Sequence, residues 1–289
     1  MADLILEAVN LSFTYPDGTK ALNSINLAIE RGKKVAVLGP NGAGKSTLFL
    51  HFNGVLKPAS GKVRFAGNDI SYQHSALMEL RQNVGIVFQD PDSQLFSASV
   101  RQEISFGPLN LGLDKVEVLR RVEAAMEATE ICHLQHKPTH LLSYGQKKRV
   151  SIADILAMEP EVLIFDEPTA WLDPRHSKEI IDLINRFNRE GKTIILSTHD
   201  VDLAYSWSDY IYIIINGQVA GMGEPQEIFQ DGALLEHADL TKPWVLEVYE
   251  EMKQKGWIPL NSPAPRTKEE LFSLMQSKEY GEKKIKRAI

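Results

Sequence analysis

The sequence predicts an α/β fold built on a mainly parallel sheet, and two observations support this prediction. Short apolar runs of strand length, such as Val162–Phe165 and Thr193–Ser197, alternate with patterns of helical period. The run Val35–Leu38 leads directly into Gly39–Thr47, which fits the pattern G-x-x-x-x-G-K-S/T and is followed by a helical pattern. Such alternation is typical of a parallel sheet with helices on both faces.

The composition restricts the class of protein. With 289 residues, 43% of them hydrophobic, the chain can bury the core of one large domain with attached subdomains. The formal net charge of -6 argues against a broad nucleic-acid-binding face, so we expect no nucleic-acid partner. The single cysteine, Cys132, suits a reducing compartment such as the cytoplasm. No apolar run approaches the roughly 20 residues that span a bilayer, so we expect membrane association only through a partner.

The N-terminal segment predicts two antiparallel strands. Apolar residues alternate or cluster over Leu4–Phe13 and Ala21–Ile29, on either side of the turn-forming Tyr15–Gly18. Tyr15 is a candidate for stacking on a nucleotide base, which typically contributes about 1 to 3 kcal/mol. An ordinary tyrosine at a strand end is the alternative, and the spacing alone does not decide between them.

The segment Gly39–Thr47 predicts a phosphate-binding loop. Its glycines allow backbone N–H groups to surround phosphate oxygens, and the following helix adds the partial positive charge of its N-terminus. Lys45 is placed to reach the outer phosphates and Ser46 to bind Mg2+. The candidate binding residues are Gly39, Pro40, Asn41, Gly42, Ala43, Gly44, Lys45, Ser46 and Thr47.

Further strands are predicted in the middle and towards the end of the chain. Lys62–Ala66 and Asn83–Phe88 have the apolar content of strands, and Gln89 comes directly after the second. Tyr210–Asn216 and Gln218–Met222 meet at an Asn-Gly pair, which is typical of a β-hairpin.

A mainly helical insertion is predicted between Asp90 and Leu142. The charged pattern of period 3.6 over Val116–Ile131 predicts an amphipathic helix there. We expect Gly107-Pro108 and Gly112 to break the insertion into pieces.

Capping patterns predict where two helices begin. Ser143 as N-cap and Gln146 three residues later form a capping box that opens a basic helix to about Met158. Thr267 and Glu270 form a second such pattern. The remaining helical patterns cover Arg175–Glu190, Asp200–Trp207, Trp244–Lys253 and Thr267–Gln276.

Polar side chains stand at the ends of three predicted strands, where parallel strands share one edge of a sheet. Hydrolysis of a phosphoanhydride needs charge neutralisation and an oriented water. Asp166 is a candidate for holding Mg2+ through water, and Gln89 for contacting both the metal and the attacking water. Glu167 is the candidate for polarising the water, an effect typically worth about 10² to 10⁴ in rate, and His199 for contacting the γ-phosphate. Each residue alone also fits a structural role, as a helix cap or an ordinary histidine.

These motifs, in this order, resemble those of ATP-binding cassette (ABC) ATPases. The matching motifs are the phosphate loop Gly39–Thr47, the Q-loop residue Gln89, the signature Leu142–Gln146, the Walker B pair Asp166–Glu167, the D-loop pair Leu172–Asp173 and the switch residue His199. The resemblance covers roughly Met1–Phe229. It implies a P-loop NTPase core that hydrolyses ATP with Mg2+, and it makes Tyr15 the residue that stacks on adenine.

The resemblance also implies a head-to-tail dimer. In that arrangement the signature residues of one subunit close over ATP held by Lys45 of the other. The signature candidates are Ser143, Tyr144, Gly145 and Gln146, and the D-loop candidate is Asp173.

Finer motifs narrow the group. Phe88–Phe96, Phe106–Leu113 and Gln146–Val150 are similar to the energy-coupling-factor importers, most closely to cobalt-import ATP-binding proteins. The resemblance implies import of cobalt, or alternatively of nickel or a vitamin, through integral membrane subunits that dock near residues 90–107. The ATPase would pair with itself or with a related ATPase, at the cytoplasmic face of the membrane.

The expected domain organisation follows from the extent of these motifs. Residues 1–230 are expected to form the ABC ATPase domain, with the helical subdomain at about 92–143. Residues 231–289 are expected to form a small helical extension, which in this group often contacts the twin subunit, although a merely structural appendage fits equally well. Its basic end, Lys283–Arg287, is expected to be frayed.

Two residues depart from the family pattern. Tyr144 stands where the signature usually has Gly, but the first residue of a helix needs no torsion reserved for glycine, so we expect activity to survive. Trp171 stands where these importers usually have Gly before Leu-Asp, which puts the packing of the D-loop across the dimer in doubt. A large aromatic there could anchor the interface or fill the core.

Three alternatives remain beside this reading. The spacing of Cys132, His133, His136 and His140 suggests a metal site, although a loop between the insertion and the signature favours solvated histidines. A non-transport ABC ATPase acting on nucleic acid or ribosomes would usually carry two cassettes or long coiled-coil insertions, and neither is visible. A small-molecule kinase would leave the signature and His199 unexplained.

Overall fold

The computed structural model describes residues 3–276, and its strands form two sheets. The strands are β1 Leu4–Thr14, β2 Lys20–Glu30, β3 Lys34–Leu38, β4 Ser60–Phe65, β5 Asn68–Asp69, β6 Val84–Val87, β7 Val162–Phe165, β8 Thr193–Ser197, β9 Tyr210–Ile215 and β10 Gln218–Gly223. An antiparallel sheet has the order β2-β1-β4-β5. The second sheet has the order β10-β9-β3-β8-β7-β6, and β10 alone runs antiparallel. The predicted α/β class with an antiparallel N-terminal part is confirmed.

Helices cover both faces of the second sheet and form the predicted insertion. They are α1 Lys45–Phe52, α2 His74–Asn83, α3 Val100–Asn110, α4 Lys115–Ala128, α5 Tyr144–Leu156, α6 Pro174–Arg189, α7 Val201–Trp207, α8 Pro225–Ile228, α9 Gly232–His237, α10 Trp244–Gln254 and α11 Lys268–Gln276. Within residues 3–276, none of these helices combines the length and the apolarity needed to cross a membrane.

Alternating side chains of the second sheet separate two cores. Val35 and Val37 of β3 pack with α1 and the antiparallel sheet. Ala36 and Leu38, which point to the opposite face, pack with α7 and with α10 and α11 of the C-terminal region. Because both faces are covered, the central strands β3, β7 and β8 are mostly apolar, and polar groups lie at the edge where these strands end.

The helical insertion differs from expectation at one point. Gly107 and Pro108 lie inside α3 and do not break it. Pro108 is near the end of the helix, so it disturbs only the last turn. A Cβ atom on Gly107 would be 2.4 Å from the sulfur of Met158, so glycine allows α3 to pack closely against the end of α5. The chain leaves the helical conformation at Gly112, where φ is +73°.

Residues after 230 complete the second core. Leu246 and Tyr249 of α10 and Leu271 of α11 pack in the same cluster as Ile211 and Ile213 of β9. The expected capping box of α11 is only half formed. Thr267 accepts a hydrogen bond from the Glu270 amide, but the Glu270 carboxylate accepts from Arg266 N instead of Thr267 N. The expected frayed segment Lys283–Arg287 lies outside the described residues.

Candidate active site

The phosphate loop joins β3 to α1 and requires glycine at both of its ends. At Gly39, φ is +140° and a Cβ atom would be 2.0 Å from the carbonyl oxygen of Ile214. At Gly44, φ is +105° and a Cβ atom would be 2.4 Å from the carbonyl oxygen of Ala21. Only glycine fits these two positions. The loop built in this way ends at the N-terminus of α1, where backbone amide groups can bind phosphate.

Lys45 is the buried cation of this loop. Its side chain is 6% exposed, and its Nζ donates to the carbonyl oxygens of Gly39 at 2.7 Å and Pro40 at 3.0 Å. Burial lowers the pKa of Lys45, and the nearby charges of Glu167 and Asp166 oppose that shift. The ammonium group is thus held between the loop and the acidic ends of the strands.

The structure brings the polar strand-end residues together at one edge, as expected. Gln89 follows β6, Asp166 and Glu167 follow β7, and His199 follows β8. The Gln89 amide nitrogen donates to Oε2 of Glu167 at 2.9 Å. His199 Nε2 contacts the other oxygen, Oε1. The carboxylate of Glu167 is therefore oriented by a neighbour on each side.

Ser197, the last residue of β8, is a site residue that the sequence did not reveal. Its buried hydroxyl donates to Oδ1 of Asp166 at 2.5 Å and accepts from the amide of Glu167 at 2.9 Å. One hydroxyl thus fixes both acids. The available signal was weak, since a serine at the end of an apolar strand, two residues before His199, also fits an ordinary strand end.

The oxygen donors near Lys45 fit a magnesium ion. Ser46 is exposed at the start of α1, Asp166 has a second carboxylate oxygen beyond the one bonded to Ser197, and Gln89 uses its amide nitrogen for Glu167 and keeps its oxygen. Hydroxyl, carboxylate and amide oxygens are the ligands that Mg2+ prefers.

Tyr15 lies beside the phosphate loop. Its hydroxyl and the Thr47 hydroxyl are 3.0 Å apart. Its ring packs edge-on against Phe13, with centroids 5.0 Å apart. Tyr15, the candidate for stacking on adenine, is therefore next to the start of α1.

The predicted capping box at the start of α5 is present. The Ser143 hydroxyl accepts from the Gln146 amide at 3.4 Å, and the Gln146 side chain accepts from the Ser143 amide at 3.1 Å. Tyr144 is the first helical residue and has no positive φ, as expected. Gly145 follows in the same turn.

Helix α5 also bonds to the segment after β6. The Tyr144 hydroxyl donates to the carbonyl of Gln89 at 3.0 Å, and the Lys148 ammonium donates to the same carbonyl at 2.7 Å. Lys147 forms an ion pair with Asp92 at 2.5 Å. Burial lowers the pKa of Lys148 to about 8, against the opposing charges of Asp166, Asp90 and Glu167. Sequence reasoning missed Lys148, because a lysine in a basic helix is usually a solvated one.

Trp171 does not fill the core. Its side chain is 68% exposed, and its ring packs edge-on against Tyr144 with centroids 5.7 Å apart. Its φ of +60° lies in the left-handed region that favours glycine, so the tryptophan carries the strain that glycine would avoid. Nearby, Asp173 caps α6 by accepting from the His176 amide at 3.0 Å, and this bond lowers the pKa of Asp173.

The histidines before the signature do not converge on a metal site. Across residues 3–276, no group of three or more His, Cys, Asp or Glu side chains could hold a metal ion. Cys132 is exposed.

The phosphate loop is open to solvent. Asn41, Gly42 and Ser46 are exposed at its tip. A cavity of about 620 Å³ lies elsewhere, between the two sheets, where it is lined by residues such as Glu7 and Tyr210. The described residues of one copy therefore leave the tip of the loop uncovered.

Comparison with known proteins identifies clear relatives. A family model described as ABC transporter matches residues 22–170. A putative ABC transporter ATP-binding protein of Methanothermobacter marburgensis is 51% identical over 263 residues, covering 91% of this chain and 95% of the relative. The energy-coupling factor transporter ATP-binding protein EcfA of Methanocaldococcus jannaschii is 48% identical, covering 89% of this chain and 92% of the relative.

Two solved structures share the fold. The structure of cbiO1 from Clostridium perfringens, part of the ABC transporter complex cbiONQ, has a TM-score of 0.73 and 48% identity, covering 86% of this chain and 99% of that one. A dimeric ATP-binding cassette in a post-hydrolysis state, bound to ADP and phosphate, has a TM-score of 0.70 and 26% identity, covering 76% of this chain and 99% of that one.

Proposed function

This chain belongs to the ABC transporter family of ATP-binding proteins, and from that premise we propose that its ATPase powers the import of a transition-metal ion, cobalt, through separate membrane subunits. ATP hydrolysis coupled to transport is the activity of the family, and energy-coupling factor ATPases are among the relatives. The similarity to cbiO1 of the complex cbiONQ carries the proposal. The motifs Phe88–Phe96 and Phe106–Leu113, which resemble cobalt-import proteins, support this cargo.

Glu167 is the proposed base for hydrolysis. Its carboxylate accepts a hydrogen bond from Gln89 and is contacted by His199, so two neighbouring side chains orient it. A carboxylate fixed in this way polarises an attacking water, while Lys45 and the amides of the phosphate loop stabilise the phosphate charge. The proposed role of His199 is to contact the γ-phosphate from the next strand.

Ser46, Gln89 and Asp166 are the proposed holders of Mg2+. When bound, the ion neutralises charge on the β- and γ-phosphates. Ser197 supports the proposed role of Asp166 because its hydroxyl donates a hydrogen bond to Oδ1 and thereby orients the carboxylate. Tyr15 is the proposed support for the adenine ring, since it lies next to Thr47 at the start of α1.

A second ATPase subunit, identical or related, is the proposed cover of the site. Ser143, Tyr144, Gly145 and Gln146 would act on the ATP of the opposite subunit. The capped N-terminus of α5 supports this role because a helix N-terminus favours anions, by up to about 2 kcal/mol. Asp173, at the N-terminus of α6, would lie in the same interface.

The membrane subunits are proposed to dock near residues 90–107. Phe96 and Phe106 are 65% and 47% exposed, and their rings pack edge-on with centroids 4.8 Å apart. An exposed aromatic pair of this kind suits burial by a partner. Docking there would hold the protein peripherally at the cytoplasmic face of the membrane.

We propose the domain boundaries that the sequence predicts. Residues 1–230 would form the ATPase domain, with the helical subdomain near 92–143, and residues 231–289 would belong to the extension. The apolar cluster of the helical subdomain also includes Val150 and Ala153 of α5, which supports a close connection between that subdomain and the signature helix.

Uptake of labelled cobalt tests the proposed cargo. The full chain would be co-expressed with the membrane proteins that co-purify with it, and cells would be offered radiolabelled cobalt, nickel or a vitamin. We expect ATP-dependent uptake of cobalt above that of cells carrying Glu167→Gln. Uptake of nickel or a vitamin alone would contradict cobalt as the cargo but would still support a role in transport. Co-purification with ribosomes alone would contradict both the cargo and the transport role.

A further inference from the structure

Helix α5 directs two donors at a single carbonyl group. Tyr144 and Lys148 are four residues apart and therefore lie on one face of the helix. The tyrosine hydroxyl and the lysine ammonium both donate to the carbonyl oxygen of Gln89, at 3.0 and 2.7 Å. A carbonyl oxygen has two lone pairs, and both are used here. The backbone of Gln89 is therefore fixed to the helix in two directions.

The lysine occupies a costly position. Lys148 is 0% exposed, and it also donates to the carbonyl of Phe88 at 3.0 Å. In the part of the chain that the structure describes, its ammonium is bonded to neutral carbonyl groups rather than to a carboxylate. Burial of a charge without a paired charge is unfavourable. Such a group indicates that the position of the two carbonyls matters for the protein.

The side chain of Gln89 carries this constraint to the reacting groups. Its amide nitrogen donates to Glu167 at 2.9 Å. We propose that Tyr144 and Lys148 are positioning residues for ATP hydrolysis, because they fix the Gln89 backbone and thereby the contact of its amide with Glu167. This inference rests on the proposed role of Glu167 as base.

The arrangement also connects two sites. The N-terminus of α5 carries the signature, which in the proposed dimer meets the ATP of the opposite subunit. The same helix fixes Gln89 of its own subunit. If α5 moved when its N-terminus met the opposite ATP, these bonds would move Gln89 of its own subunit with it. The bond from Tyr144 to Gln89 needs a tyrosine at a position where the family pattern usually has glycine. The bond is therefore expected in this chain and in relatives that have the same tyrosine.

Removal of one hydroxyl tests the proposal. Tyr144→Phe keeps the ring against Trp171 and loses only the bond to Gln89. We expect kcat for ATP hydrolysis by the full-length protein to fall by about 5- to 10-fold, the effect of losing one hydrogen bond, because the Gln89 amide is then less well fixed against Glu167. KM for ATP should stay within about two-fold, since the phosphate loop is unchanged. A kcat equal to that of the wild type would overturn the proposal.

A double mutant shows whether the Tyr144 hydroxyl acts on hydrolysis through Gln89. In Gln89→Ala the amide that contacts Glu167 is absent, so adding Tyr144→Phe should slow the enzyme no further. An equal fold-loss in both backgrounds would overturn the proposed route. Lys148→Met should lower kcat more than Tyr144→Phe does. If it fails to fold, the Tyr144→Phe and Gln89→Ala cycle still decides.

Two controls separate this proposal from other effects. Tyr249→Phe removes a comparable bond from a tyrosine hydroxyl to the carbonyl of Ser262, far from the site, and should leave kcat unchanged. ATP-dependent dimerisation of Glu167→Gln should be the same with and without Tyr144→Phe. Loss of that dimer would mean that the hydroxyl acts across the interface, which overturns the proposal. Wild-type hydrolysis by Glu167→Gln alone would instead refute the proposed base.

Discussion

Glu167 combines a strained backbone with a tightly oriented carboxylate. Its φ of +44° lies in the left-handed region, which costs a non-glycine residue of order 1 to 3 kcal/mol. Ser197 accepts from its amide, and Gln89 and His199 contact its two carboxylate oxygens. Strain of this kind persists where the surroundings determine the conformation, and here they hold the carboxylate between Gln89 and His199.

Substitution of Glu167 by glutamine should separate binding from hydrolysis. The amide has nearly the same shape but cannot act as a base, so we expect hydrolysis to fall by about 10²- to 10⁴-fold while ATP binding is retained. The measurements are the steady-state ATPase rate and ATP-dependent dimer formation by light scattering. Glu190→Gln, at the exposed end of α6, is the matched control and should hydrolyse ATP normally. Normal turnover by Glu167→Gln would remove the residue from its proposed role.

At the scale of elements, Asp154 of α5 and the buried Glu103 of α3 are acidic groups that influence each other electrostatically. Gln94 accepts from the amide of Phe88 at 3.2 Å, and its side-chain nitrogen donates to Ser151 O at 3.0 Å and to Asp154 at 3.3 Å. Glu103 of α3, which is fully buried, accepts from two backbone amides with one oxygen. Burial raises the pKa of Asp154 to about 7; the bond from Gln94 opposes this shift, and the charge of Glu103 adds to it.

This contact predicts a pH dependence of stability. The carboxyl of Asp154 takes up a proton more readily in the folded state than in the unfolded chain, whose pKa is near 3.8. The folded state therefore loses stability as pH rises from about 4 through about 7. Asp154→Asn removes this titration, so its free energy of unfolding should change less over that range and should exceed that of the wild type at pH 8. Urea denaturation at pH 5 and pH 8 measures both, and identical pH profiles would contradict the assignment.

The elements differ in how far the sequence could predict them. Strands β7 and β8 have the bounds that their apolar runs predict, because strands buried on both faces contain no polar interruptions. Helix α2 escaped prediction because its apolar stripe is short, with Leu80 buried and Leu77 partly buried against the core. The prediction that Gly107-Pro108 breaks the helix was wrong. Whether this pair ends a helix depends on its place in the last turn of α3 and on the packing of Gly107 against Met158.

The candidate site also contains residues that the sequence predicts and residues that it does not. Residues such as Lys45, Glu167 and His199 could be found from motif spacing and strand ends. Ser197 and Lys148 could not, because their importance comes from contacts between segments that are far apart in sequence. Lys148, for example, bonds to a carbonyl 59 residues away.

At the scale of the whole molecule, one copy presents an open phosphate loop and, next to the signature, an exposed tryptophan that packs on a partly buried tyrosine. Tyr144 and Trp171 pack edge-on, and Trp171 is 68% exposed in a left-handed conformation. Neither core packing nor backbone preference explains a tryptophan there. Burial against a second ATPase subunit would explain it, since aromatic side chains dominate the energetics of interfaces.

Replacement of Trp171 by glycine should have opposite effects on the subunit and on the dimer. Glycine tolerates the left-handed conformation, so the free energy of unfolding should rise or stay within about 1 kcal/mol. ATP-dependent dimerisation in the Glu167→Gln background should weaken by about tenfold or more, as for loss of an aromatic anchor. Chemical denaturation and light scattering give the two values. Trp257→Gly, an exposed tryptophan of the extension without a positive φ, is the control for loss of an exposed ring. Unchanged dimerisation by Trp171→Gly would refute the anchor.

The shared core of β9 and the C-terminal helices has a consequence during protein synthesis. A ribosome that has passed residue 230 has made every motif of the ATPase, but Ile211 and Ile213 still lack the part of their cover that α10 and α11 supply. The nascent chain therefore keeps this sheet face partly uncovered until those helices have been made. A chain that ended near residue 230 would keep the same apolar surface exposed, and we expect it to aggregate more readily than the full chain.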